Sequence, residues 1–160
     1  MSDEEAAQTI KDMEAGEAAK ILEEISNEKA ARILELIEIE RAIGILKNLS
    51  DLKASVIFEV MQIEKAAELL QEMWEIGLHN KTLTILCEIS AGNVTAIFLK
   101  VEIGLAAMTL EAMVDLNVTR GADIIKNAAS MNLTKTAKIV ENMQTEEAAQ
   151  LIIELSRRKD

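Results

Sequence analysis

At 160 residues the chain is sized for one domain; 49% of it is hydrophobic, only 2% is aromatic, and it contains no proline. Of the formal charge of −11, residues 1–75 carry −10 (18 acidic and 8 basic side chains) and residues 76–160 carry −1 (10 acidic and 9 basic). That balance excludes a nucleic-acid or anionic-membrane surface, which would need a basic patch; the scarcity of aromatic residues and of strand-like alternation excludes a sheet.

The first elements come from a repeat. Ser2–Met73 divides every twelve residues into six lines in register: SDEEAAQTIKDM, EAGEAAKILEEI, SNEKAARILELI, EIERAIGILKNL, SDLKASVIFEVM and QIEKAAELLQEM. The fifth and sixth positions are mostly alanine, the ninth is usually Ile or Leu, and the twelfth is Met, Ile or Leu. In Ser26–Ile37, residues Ala30, Ile33, Leu34 and Ile37 follow the i, i+3, i+4, i+7 spacing of one helical face, with Lys29, Arg32 and Glu35 opposite. Each line therefore predicts a short amphipathic helix. The lines cannot fuse into one long helix. Twelve residues advance an α-helix by about 1200°, roughly 120° past whole turns, so the apolar stripe would rotate away from any partner. Nor is twelve close to the seven or eleven of a coiled coil. The chain must turn back between units, which predicts a solenoid in which each helix is stable only by packing on its neighbours. Ser2, Ser26 and Ser50 are expected N-caps, and Ser2 with Glu5 has capping-box spacing. Alternate units begin instead with Glu14, Glu38 and Gln62, which makes a 24-residue helical hairpin the expected structural period.

After Met73 the register changes. Trp74 is spare, and Glu75–Ile89 is a fifteen-residue unit. Ser90–Val101 and Glu102–Met113 return to twelve. Val114–Ala128 and Ala129–Met143 are again fifteen, and Gln144–Leu155 is twelve. The expectation is an all-α solenoid of about twelve short helices in 12- to 15-residue repeats, forming a single domain over 1–160 with a polar, frayed tail at 156–160. The extra residues should lengthen helices or turns. Gly16, Gly77, Gly92 and Gly104 lie near unit starts, where turns are expected.

Few residues suggest chemistry. His79 and Cys87, each the only one of its kind, lie eight apart in one unit. A zinc site needs three or four ligands, so a turn histidine and a half-buried cysteine are the expected roles. Methionines at the closing positions (Met13, Met61, Met73, Met113, Met143) read as core filling. Four N-x-T stretches begin at Asn80, Asn93, Asn117 and Asn132; near unit starts these read as helix caps. Asp3, Glu4, Glu5, Glu17, Glu28 and Glu40 are placed to complement helix dipoles, with weak Mg²⁺ or Ca²⁺ attraction at the acidic surface as the alternative. No motif marks metal ligands, so none is nominated. No nucleophile constellation, phosphate loop or zinc motif is present, and no catalytic residue or bound cofactor is expected. The single cysteine excludes an internal disulfide, the acidic start MSDEEAAQ is unlike a signal peptide, and no run is apolar enough to span a bilayer. These features predict a cytoplasmic protein without membrane insertion.

The units EAGEAAKILEEI, SNEKAARILELI, QIEKAAELLQEM and QTEEAAQLIIEL resemble the repeats of the cytoplasmic N-terminal domain of MgtE-type magnesium transporters, and the flagellar rotor protein FliG carries related repeats. The resemblance spans almost the whole chain and implies a right-handed superhelix of short helices. In the transporters that domain packs on paired CBS domains and, with Mg²⁺ between acidic surfaces, helps hold the pore closed. The family habit of an Asp-Pro pair before the helix is missing here, and the family's metal-binding acids do not map onto this chain residue by residue. Two functions follow as expectations. One is a non-enzymatic interaction and regulatory module holding a protein partner. The other is a Mg²⁺-responsive regulatory domain of, or for, a magnesium transporter. Self-association is a third expectation, because the end helices Ser2–Met13 and Gln144–Leu155 each have an apolar face with no further repeat to cover it.

Overall fold

Among the described residues, each of the twelve units becomes one α-helix. In the computed structural model, which describes residues 2–158, the chain divides into two compact units, Met1–Ile89 and Ser90–Asp160. Among the described residues there is no strand, and no helix is long and apolar enough to cross a membrane.

The first unit holds α1 (Asp3–Lys11), α2 (Ala15–Glu24), α3 (Asn27–Leu36), α4 (Ile39–Asn48), α5 (Asp51–Val60), α6 (Ile63–Glu75) and α7 (His79–Glu88). The breaks fall where the repeat places them. Glu14, Ser26, Glu38, Ser50 and Gln62 are extended N-caps. The hydroxyls of Ser26 and Ser50 accept from the amides of Lys29 and Lys53, and Ser2 with Glu5 closes a reciprocal capping box. Odd helices pack in series, α1 on α3, α3 on α5 and α5 on α7; even helices do likewise, α2 on α4 and α4 on α6. The 24-residue hairpin is thus the packing period. The fifth position of each unit (Ala18, Ala30, Ala42, Ala54, Ala66) and the ninth (Leu22, Leu34, Leu46, Phe58, Leu70) are fully buried. A small residue below a large one lets the helices approach closely while the larger side chain fills the space between them.

The second unit holds α8 (Ala91–Phe98), α9 (Ile103–Leu116), α10 (Val118–Met131), α11 (Leu133–Glu141) and α12 (Thr145–Arg157). The extra residues of the long units lengthen helices: α6, α9 and α10 have 13 or 14 residues against 10 in α2 to α5. Three predicted boundaries shift. The unit expected to open at Glu75 opens at Leu78, Glu75 being the last residue of α6. Those expected to open at Val114 and Ala129 open at Asn117 and Asn132, whose side chains accept from the amides of Arg120 and Lys135. Val114 stays inside α9 and is buried, so the apolar pattern runs on past the unit boundary and the cap decides the joint. Trp74, expected to be spare, also belongs to its preceding helix, α6.

Asn80 and Asn93, by contrast, are not caps. Both lie inside helices, α7 being preceded by Leu78 and α8 by Ser90. The polar work in those stretches falls to the threonines. Buried Thr82 and Thr95 donate back to the carbonyls of Leu78 and Ala91 at 2.7 and 2.8 Å, satisfying hydroxyls that stand where alanine is otherwise found. Among the glycines, Gly77 meets a backbone need. With φ +95° it ends α6, its N–H donating to Trp74 O and that of Leu78 to Met73 O, the paired bonds of a Schellman turn. In the tail, Ser156 and Arg157 remain within α12 and Arg158 pairs with Asp123 and Glu154; Lys159 and Asp160 lie outside the described residues.

Candidate interaction surface

The charged residues of the repeat do two jobs, and the first is internal. The C-terminus of one helix meets the N-terminus of the helix three places on, and side chains are exchanged across the junction. Glu23 of α2 accepts from the N–H of Ser50 at 2.6 Å, Glu35 of α3 from that of Gln62 at 3.0 Å, and Glu111 of α9 from that of Gln144 at 2.7 Å. In return, cations reach back to terminal carbonyls. Arg41 donates to Ile10 O (3.1 Å), Lys53 to Ile25 O (2.7 Å), Lys81 to Leu49 O, and Lys135 to Leu99 O and Val101 O (3.0 and 2.7 Å). Each carboxylate sits at the positive end of a helix dipole and each cation at a negative end. The groups satisfied are the orphan donors and acceptors that every helix end leaves. Burial pushes the Lys135 ammonium below its ordinary pKa, and the like charge of Lys100 adds to this.

The acids predicted to complement dipoles all stand in first turns: Asp3, Glu4 and Glu5 of α1, Glu17 of α2, Glu28 of α3 and Glu40 of α4. Asp3 pairs with Lys29 and Arg32 at 3.2 and 3.3 Å, and Glu5 is held in the capping box. Hydrogen bonds from the Ser2 amide and hydroxyl hold the Glu5 carboxyl below its ordinary 4.5. Because the folded value is the depressed one, this support for α1 is present above pH 4.5 and is lost as pH falls from there through the lowered value. We therefore expect the Glu5 carboxyl to titrate by NMR below 4.5, and Ser2→Ala, which removes the hydroxyl but keeps the amide, to bring it part of the way back. An unshifted Glu5 in the parent chain would mean that the box is not formed.

The second job is external. Two grooves on the first unit are built from the same repeat positions, one hairpin apart. The first, about 360 Å³, is lined by Glu4, Gln8 and Lys11 of α1 with Leu36 and Glu38. The second, about 250 Å³, is lined by Glu28, Arg32 and Glu35 of α3 with Val60 and Gln62. Glu4 and Glu28, Gln8 and Arg32, Lys11 and Glu35, Leu36 and Val60, and Glu38 and Gln62 are each 24 residues apart. At the eleventh position of their units, Leu36 (48% exposed) and Val60 (46%) give each groove an apolar rim beside carboxylates. A different groove, about 630 Å³ and open, lies in the second unit beside Glu102, Asn132, Thr134, Lys135 and Lys138.

His79 and Cys87 are not brought together. His79 is exposed at the first position of α7 with its ring stacked on Trp74, centroids 4.0 Å apart. Cys87, half-buried, is about 12 Å farther along the same helix. Among the described residues no three His, Cys, Asp or Glu side chains converge to hold a metal ion. The helix-start acids are dispersed one to three per helix, and among the described residues they do not converge.

Neither the exchanges nor the grooves can be read within one unit, because the exchanges join residues 27–36 apart and the groove walls residues 25–34 apart. A signal was available. Glu at the tenth position recurs at Glu23, Glu35 and Glu111, and a cation at the fourth at Lys29, Arg41, Lys53 and Lys65.

Residues 1–75 match the family described as MgtE intracellular N domain. The chain matches no curated protein and no solved structure.

Proposed function

We propose, taking as premise that residues 1–75 match the MgtE intracellular N domain, that the chain is a non-catalytic regulatory module that works by holding a protein partner. The observation that carries this reading is the pair of grooves repeated at 24-residue spacing across α1, α3 and their successors, each with an apolar rim and carboxylates beside it. Helices packed at roughly 8–10 Å set the spacing of such grooves. A ligand with two apolar side chains that far apart, flanked by Lys or Arg, matches both the shape and the charge of this face. Peptides selected from a displayed random library against the chain should be enriched in such pairs and basic flanks. Leu36→Lys with Val60→Lys, cations at the C-terminal ends of α3 and α5, should abolish their binding and leave the thermal melt little changed. Selected peptides that bind the double variant equally well would remove the grooves from the reading.

The magnesium reading has its own support in the family match and in the −10 carried by the matched residues 1–75. A response to Mg²⁺ here would use one or two carboxylates and retained waters, or acids completed by a partner, since the described residues gather no chelating set. A thermal-melt series separates the two readings. A rise in Tm at millimolar Mg²⁺ that equal ionic strength of Na⁺ does not reproduce supports the sensor, and a flat response leaves the scaffold.

A further inference from the structure

The repeat itself shows which surface is incomplete. In Glu14–Met73 and again in Ser90–Met113, the fifth and ninth positions of every unit are sealed, for example Ala30 with Leu34 and Ala106 with Leu110. The last unit repeats the pattern with Ala148 and Ile152, but there Ile152 is 56% exposed, and Ile153 beside it 51%. Ala149, Ile152, Ile153 and Ser156 form an open stripe on α12, at the i, i+3, i+4, i+7 spacing of one face. α1, expected to be open in the same way, is not: Ala6, Ala7 and Ile10 are buried. Only α12, of the two end helices, carries core residues without a cover.

The charges on α12 indicate what covers them. Glu146 in its first turn and Arg157 in its last are both exposed, and neither forms an ion pair among the described residues. They are eleven residues apart, about 20° from whole turns, so both flank the stripe on the same side and stand at its two ends. We propose that α12 packs antiparallel against α12 of a second copy, across a two-fold axis level with Leu151 and Ile152. That operation carries Glu146 of each copy onto Arg157 of the other, on both sides of the axis. The paired apolar residues close the interface in an isologous contact. The helix dipoles oppose, and Ala149 allows the backbones to approach. An additional repeat or an unrelated partner would fit the stripe, but neither would require opposite charges placed evenly about its middle.

The test is sedimentation of the full chain from about 1 to 100 μM, the range in which such an interface would assemble. A dimer is expected. Ile152→Glu places a charge where it has no partner and should weaken the dimer by about a hundredfold or more; because Ile152 is exposed in one copy, the melt of the monomer should not change. Glu146→Arg and Arg157→Glu should each weaken association by about tenfold, and the two together should restore it. The helix dipole alone predicts the opposite order, the double variant being the worst. A monomer throughout the range, a dimer indifferent to Ile152→Glu, or a double variant weaker than either single one would overturn the proposal.

Discussion

Phe58→Ala is expected to lower stability by about 3–5 kcal/mol. Phe58 is fully buried at the ninth position of α5, where the neighbouring units have leucine. α5 packs on α3 before it and α7 after it, so the ring is held from both sides. The cavity has little means of closing. The fifth-position alanines already bring the helices to close approach, and the flanking ninth-position leucines are themselves fully buried. In a nearest-neighbour stack the loss should be felt first in α3, α5 and α7. Urea melts followed by circular dichroism measure the total, and hydrogen exchange locates it. Leu52→Ala, on the same helix but 74% exposed, is the control and should stay within about 0.5 kcal/mol. A loss below about 1 kcal/mol at Phe58 would mean that α5 is not packed as described.

The second expected loss is at the junction of α2 and α5, where both halves of the exchange are present. Glu23 accepts from Ser50 N–H, while Lys53 donates to Ile25 O and to Asn27 Oδ1. Lys53→Met keeps the aliphatic stem and removes the donor, leaving a helix-end carbonyl without its charged partner. The expected loss is about 1–2 kcal/mol, below the upper range for charged hydrogen bonds because the site is only part-buried. Glu23→Ala, at the more exposed bond, should cost about 0.5–1 kcal/mol. The double variant should lose about 2–3 kcal/mol. Its departure from the sum of the singles measures how far the two bonds support one another across one junction. Raising the salt concentration should shrink the Glu23 effect more than the Lys53 effect, since Lys53 is the better shielded of the two. If Lys53→Met were neutral, the reach-back cations would be surface charges rather than caps.

The sequence showed the twelve helices and most of their starts because those depend on residues within one unit. A serine three places before the amide it caps, or an alanine four before a leucine, can be read locally. The boundaries that moved, at Leu78, Asn117 and Asn132, lie where the spacing stretches to fifteen, and at the last two the apolar pattern runs through the joint. There Val114 looks like a beginning although it is a buried residue in the last turn of α9. At Asn80 and Asn93 the motif misled: neither residue caps a helix, and the neighbouring threonines bond back to carbonyls of their own helices. The candidate surface was less legible. Leu36 and Val60 look like ordinary eleventh-position residues until units two apart are stacked, and Glu23 and Lys53 look like solvated charges until the third helix on is in place. The two ends differ for a similar reason. α1 and α12 share a pattern, and only the packing shows that α1 is covered and that Ile152 is not.

The stacked pair at the α6–α7 turn has a practical consequence. The chain has one tryptophan and no tyrosine, so its ultraviolet emission comes from a single indole leaning on an imidazole. Fluorescence needs no label here, and it reports on one corner of the first unit. A molecule settling near that corner would change the colour or brightness of the signal. Events elsewhere in the protein would leave it unchanged unless they reached Trp74 through the helices between.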